Sequence, residues 1–165
     1  MKTQILAHNQ VQKILRRMAY QIYEKHFDQK EIIFAAISGQ GVQVAKLVQT
    51  ELQEISKIKI ALLEVTISKE KPEFNSAKVL FEPKQIKDKP VIMFDDVLNT
   101  GRTLVYGMHP FLKEQVKSIQ VAVLVDRNHK SFPVSADYIG LSLQTTLQEH
   151  VAVVMKAGKI TAYLE

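Results

Sequence analysis

Two adjacent carboxylates, Asp95 and Asp96, followed closely by Asn99, Thr100, Gly101, Arg102 and Thr103, make a set suited to a sugar phosphate. Ionised carboxylates are pure acceptors and can hold the vicinal hydroxyls of a ribose. Val91, Ile92, Met93 and Phe94 precede them as an apolar run fit for a strand buried on both faces, so the acids should emerge where that strand ends. Leu104, Met108, Phe111 and Leu112 fall at helical spacing, so the intervening turn should open a helix. Unpaired N–H groups at a helix start favour an anion, and Gly101 lets the chain approach it closely. The hydroxyls of Thr100 and Thr103 favour phosphate over a bare carboxylate. Piece by piece, the same residues also read as a solvated strand end, a Thr100 cap and a turn glycine. The strand, turn and helix context favours the phosphate reading.

The elements around this run alternate in period. Val11, Leu15, Met18 and Ile22 predict an opening helix, with Asn9 as its cap and Lys13, Arg16, Arg17 and Lys25 partly outside its apolar stripe. Residues 32–37 read as a buried strand, Ser38, Gly39, Gln40 and Gly41 as a break, Val44 to Ile55 as a helix face, and 58–67 as a strand. That is a βαβ unit, which implies a parallel sheet with right-handed crossovers. Residues 68–89 lose periodicity and contain Pro72 and Pro83, so this stretch is either a lid or a plain surface excursion. Residues 119–125 predict another buried strand, ending in Asp126, Arg127, Asn128, His129 and Lys130. Residues 151–163 suggest a closing hairpin around Ala157 and Gly158. The expected architecture is one α/β domain over residues 1–165.

Three loops, at 38–41, 95–103 and 126–130, follow predicted strands, and in an open parallel sheet such ends share one edge, where ligands bind. Gly39 and Gly41 could expose N–H groups to a second anion or be simple turn residues. Asp126 could hold magnesium or be a strand-end charge, and His129 could face ligand or solvent. The five histidines show no metal-site spacing, so no transition-metal site is expected.

Composition narrows the class. Of 165 residues, 46% are hydrophobic and 24% charged, which argues against disorder. The chain has no cysteine, which excludes disulfide frameworks and thiolate zinc sites. No segment approaches a membrane span, and the cytoplasm is the expected compartment. A net charge of +5 suits either anionic small substrates or nucleic acid. Along the linear sequence, basic and aromatic residues are not interleaved as single-strand binders require.

The run from Val91 to Thr103 resembles the phosphoribosyl diphosphate (PRPP) signature of type I phosphoribosyltransferases. Leu63 to Ile67, and above all Val121 to Pro133 with Ala136 to Gly140, are similar to the PyrR group, bifunctional pyrimidine operon attenuators with uracil phosphoribosyltransferase activity. The resemblance implies a mainly parallel sheet flanked by helices, a small hood, magnesium dependence, and a homodimer or higher assembly. It assigns Asp95 and Asp96 to the ribose hydroxyls, Asn99 to Thr103 to the 5-phosphate, Ser38, Gly39, Gln40 and Gly41 to diphosphate, and Asp126, Arg127 and His129 to the base side. Magnesium falls to Asp126.

Some positions depart from that pattern. The family's diphosphate loop carries lysine and arginine where this chain has Ser38 to Gly41, so Lys69 and Lys71 are the available substitutes, with Lys69 taken as catalytic. Asn99 stands where purine-type relatives place a carboxylate, which tilts the substrate towards pyrimidines. Arg16 to Gln21 replace the family's run at its RNA contact surface. The implied function is transfer of phosphoribose from PRPP to a base, with uracil giving UMP. The alternatives are a nucleotide-sensing, RNA-binding attenuator with little catalysis, or a purine-base transferase on the same fold.

Overall fold

In order along the chain come β1 (Thr3–Leu6), α1 (His8–His26), β2 (Glu31–Ile37), α2 (Gln40–Ile55), β3 (Lys59–Val65), α3 (Pro83–Ile86), β4 (Pro90–Leu98), α4 (Arg102–Leu112), β5 (Ser118–Asp126), β6 (Tyr138–Ser142), β7 (Val151–Lys156) and β8 (Lys159–Leu164). This computed structural model describes residues 2–68, 70–73 and 75–165. Lys69 therefore lies outside the described residues.

Five strands form a parallel sheet in the order β3-β2-β4-β5-β6, with every neighbouring pair parallel. Strand β2 shows why the sheet is an interior layer. Ile32, Phe34 and Ala36 face α1 and α2, while Ile33, Ala35 and Ile37 face the α4 side, and all six are fully buried. Helix α1 buries Val11, Leu15, Met18, Ala19 and Ile22, the stripe its spacing predicts. The α/β architecture, with helices on both faces, is as expected.

Several details differ from the sequence expectations. Helix α1 starts at His8 with Ala7 as N-cap, and Gln10 rather than Asn9 satisfies the entry, its Oε1 accepting the Ala7 N–H at 2.8 Å. Gln40 and Gly41 are the first residues of α2 rather than loop. Strand β4 continues through Asp95 and Asp96 to Leu98, because Asp95, Val97 and Leu98 still pair with β5. Strand β6 was not anticipated, since its five residues YIGLS carry no clean alternation. It is held instead by parallel pairing to β5 and by the buried Tyr138, whose hydroxyl donates to Gln120 Oε1 at 2.9 Å.

The closing hairpin forms, with Ala157 and Gly158 at positive φ in a two-residue turn between the paired Lys156 and Lys159. It recruits the unanticipated β1 into a second, antiparallel sheet, β1-β8-β7. Within 68–89 the second half is anchored: Thr66 bridges Lys78, Phe81 stacks on Phe111 at 5.5 Å, and Ile86 is fully buried. Among the described residues no helix is long and apolar enough to cross a membrane.

Candidate active site

The carboxyl ends of β4 and β5 open into a cleft of about 740 Å³. One wall carries Asp95, Asp96 and Asn99 to Thr103, so the acid pair and the turn read from the sequence do come together. Asp95 is 3% exposed, and its Oδ1 accepts the Asp96 N–H at 2.9 Å, which fixes one carboxylate against the backbone of the next.

Gly101 is the N-cap of α4 at φ +84°, in the left-handed region. Thr100 supports the turn twice: its Oγ1 accepts the Arg102 N–H at 3.3 Å, and its carbonyl accepts N–H groups of Ser131 at 2.9 Å and Phe132 at 3.1 Å. The β5–β6 connection thus braces the turn from behind. A helix start held in this way presents N–H groups and hydroxyls to an anion.

Other walls were not foreseen. Ser131 and Phe132 line the cleft from the β5–β6 connection, Glu70 from the β3–α3 segment, and His150, Val151, Ala152 and Val153 from the start of β7, which packs on β4. The hairpin was legible as a hairpin, but nothing in its own pattern says that it folds over the strand ends as a hood.

Of the residues assigned to the base side, Arg127 reaches the cleft wall, whereas Asp126 and His129 do not line it. Asp126 is 1% exposed; its Oδ1 accepts the Asn128 N–H at 2.9 Å and its Oδ2 the Lys130 ammonium at 3.2 Å. His129 Nε2 meets the Thr145 carbonyl. Both side chains are therefore occupied in shaping the 126–145 region. Thr146, by hydrogen bonding to Glu149, holds that carboxyl below the usual range, with the nearby Arg127 charge adding to it.

Residues 38–41 do not line the cleft, yet they adjoin it. A Cβ at Gly41 would lie 3.3 Å from Asp95 Oδ1 and 3.1 Å from the Phe94 carbonyl, so the start of α2 rests directly on the acid pair's strand. No cation stands in that loop, and Gln40 Oε1 is buried without a hydrogen-bond partner among the described residues.

Comparison with known proteins then fixes the family. Residues 1–156 match the family described as Phosphoribosyl transferase domain. The chain belongs to the phosphoribosyltransferase family. Among its relatives is the bifunctional protein PyrR of Clostridium acetobutylicum, 32% identical over 94% of this chain and 92% of the relative. That of Oceanobacillus iheyensis is 34% identical over 92% and 89% respectively. The fold is that of hypoxanthine phosphoribosyltransferase from Trypanosoma cruzi, with TM-score 0.77, 13% identity and coverage of 97% and 95%. It is equally that of a hypoxanthine-guanine phosphoribosyltransferase from Bacillus anthracis, with TM-score 0.75, 19% identity and 99% of each chain. This is a type I phosphoribosyltransferase resembling PyrR.

Proposed function

We propose that this phosphoribosyltransferase moves the 5-phosphoribosyl group of PRPP to a pyrimidine base, uracil giving UMP and diphosphate. The observation that carries the reading is the placement of Asp95, Asp96 and the 99–103 turn on one cleft wall, together with relatives named as bifunctional PyrR proteins. In the reaction a base nitrogen bonds to the anomeric carbon as the carbon–oxygen bond to diphosphate breaks. The electron pair leaves with diphosphate, and the base nitrogen gives up its proton. The transition state resembles an oxocarbenium ion, as at other glycosidic carbons. Asp95 and Asp96 take the ribose hydroxyls and stabilise that positive charge, while Asn99, Thr100, Gly101, Arg102 and Thr103 hold the 5-phosphate. Phe132, Val151 and Val153 help to exclude water.

Magnesium belongs to this reading as the counter-charge for the leaving diphosphate. Carboxylate and hydroxyl oxygens suit such a hard cation, which binds through one or two carboxylates plus substrate phosphates. Asp126, the carboxylate first assigned to it, does not line the cleft, whereas Asp95 and Asp96 do, so this pair is the better placed to meet an ion carried on substrate. On the diphosphate side, the Ser38 to Gly41 segment would contribute the N–H groups of Gly39, Gln40 and Gly41, that of Ser38 being held by the Val65 carbonyl, and Lys69 the cation. Assembly as a homodimer or larger oligomer and action in the cytoplasm complete the proposal.

The deciding experiment is diphosphate release from PRPP and magnesium across uracil, other pyrimidines and purines. Uracil-dependent turnover is expected; turnover with purines alone would keep the chemistry and replace the base. Gln40→Lys, which returns a cation to the loop, should raise turnover severalfold, since charge-assisted hydrogen bonds are about twice as strong as neutral ones. An unchanged rate would remove residue 40 from the diphosphate side. For the lid, PRPP with magnesium should protect 68–75 from proteolysis while 77–89, already anchored, changes little. Equal cleavage with and without ligand would end the lid assignment.

A second reading, a nucleotide-sensing regulator that binds RNA, is favoured by one observation. Tyr20 and Tyr23 on helix α1 and Phe27 at its C-cap are exposed at helical spacing, and the Arg16 guanidinium, also paired with Glu51 and Glu54, lies 5.9 Å from the Tyr20 ring centre. Helical periodicity gathers the basic and aromatic groups that are dispersed in the linear sequence, and such a face can stack single-stranded bases. Salt-dependent binding of pyrimidine leader RNA, lost in Tyr20→Ala with Phe27→Ala, tests it.

A further inference from the structure

Arg127 lines the cleft yet is only 5% exposed, and its guanidinium joins two walls that the backbone does not connect locally. Nη1 donates to Asn99 Oδ1 at 3.1 Å, on the turn assigned to the 5-phosphate. Nε donates to Thr145 Oγ1 at 2.9 Å, and Nη2 to the carbonyls of Thr146 at 3.2 Å and Glu149 at 2.5 Å, in the segment leading into β7. Glu149 in turn accepts the Thr146 N–H at 2.6 Å, closing that segment on itself. Immediately beyond it, His150, Val151, Ala152 and Val153 form the hood wall of the cleft.

We propose that Arg127 is a positioning residue that couples the phosphate wall of the cleft to the hood wall, holding Asn99 and the 145–149 segment in register instead of contacting the base. The guanidinium is a planar fork with five N–H donors in fixed directions, and four of them are already taken by protein acceptors. A base drawing on those donors would strip two loop carbonyls of their partner in a buried place. The same geometry makes the coupling reciprocal. A group that orders Asn99 also fixes the guanidinium, and through it the segment that carries the hood. Filling the phosphate turn should therefore order the wall that receives the base.

This inference rests on the functional reading above for which wall takes phosphate, but not for the coupling itself. The test is amide hydrogen exchange on the full chain, comparing wild type with Arg127→Lys, Arg127→Gln and Asn99→Ala. Both Arg127 variants should speed exchange in 144–150 by about tenfold or more, since a lysine cannot reproduce the fork. The discriminating variant is Asn99→Ala, which touches only the phosphate side and has an exposed side chain. It should loosen 144–150 as well, with β2 and α1 amides unchanged. Wild-type exchange at 144–150 in Asn99→Ala, or wild-type behaviour of Arg127→Lys, would overturn the coupling. With UMP as probe, binding should protect 144–150 in wild type, and this protection should vanish in Arg127→Lys. If wild type binds neither UMP nor PRPP, the functional reading fails, while the free-protein comparison still decides the coupling.

Discussion

Asp95→Asn combined with Asp96→Asn is expected to lower the rate of diphosphate release by about a hundredfold or more, with a smaller loss in PRPP affinity. In the proposed reaction each carboxylate offers charge-assisted hydrogen bonds to a ribose hydroxyl, worth about 1.5–3 kcal/mol apiece, and tenfold corresponds to about 1.4 kcal/mol. The asymmetry between rate and affinity follows from charge development. Positive charge builds on the ribose ring only as diphosphate departs, so fixed anions favour the transition state over bound PRPP. Asparagine keeps shape and an acceptor oxygen, so the Asp96 N–H held by Asp95 retains a partner and the melting temperature should move little. Turnover is measured by diphosphate release and affinity by equilibrium binding. Unchanged PRPP affinity in the double variant would end the assignment of this pair to the ribose.

Gly101→Ala should be the most damaging single substitution in the phosphate turn. Its φ of +84° is a conformation an L-residue adopts at about 1–2 kcal/mol, and the added Cβ would lie 2.2 Å from Val134 Cγ1. Relieving that overlap forces either the turn or the β5–β6 connection outward, at about 1–3 kcal/mol. The connection is tied to the Thr100 carbonyl through Ser131 and Phe132, so the strain reaches the phosphate N–H groups directly. Loss of UMP and PRPP binding by about ten- to a hundredfold is expected, together with a fall in melting temperature of about 4–20 °C. Val134→Ala removes the colliding methyl and should recover the steric share only. Full recovery would show that the positive φ is tolerated, and no recovery would place the damage elsewhere.

Four of the five strands of the parallel sheet, β2 to β5, and the turn that opens α4 were readable from the chain because their signals are local. The run from Val91 to Phe94 announces a buried strand, and Thr100 to Thr103 announce a helix start, whatever lies around them. The hood was only half legible. The β7–β8 turn at Ala157 and Gly158 is a local signal, but β1 is held by pairing Thr3 with Leu164, and no neighbouring residue records that distant partner. Asp126 and His129 illustrate the other limit. Position at a strand end suggests a ligand-facing side chain, yet Lys130, Asn128 and Thr145 claim these groups through contacts that spacing does not encode. Arg127 lines the cleft, but its four acceptors come from two segments far apart in sequence.

The hood's strand order bears on how the protein matures. Among the described residues Thr3–Leu6 pairs only with Lys159–Leu164, so this strand should be among the last to find its place. Pairing across most of the chain is slow to form because its loop must close first. The strands of the parallel sheet, from Glu31 to Ser142, are joined by shorter connections, so that sheet should form before β1 joins the hood. The hood that carries His150 to Val153 is then the last wall of the cleft to be completed.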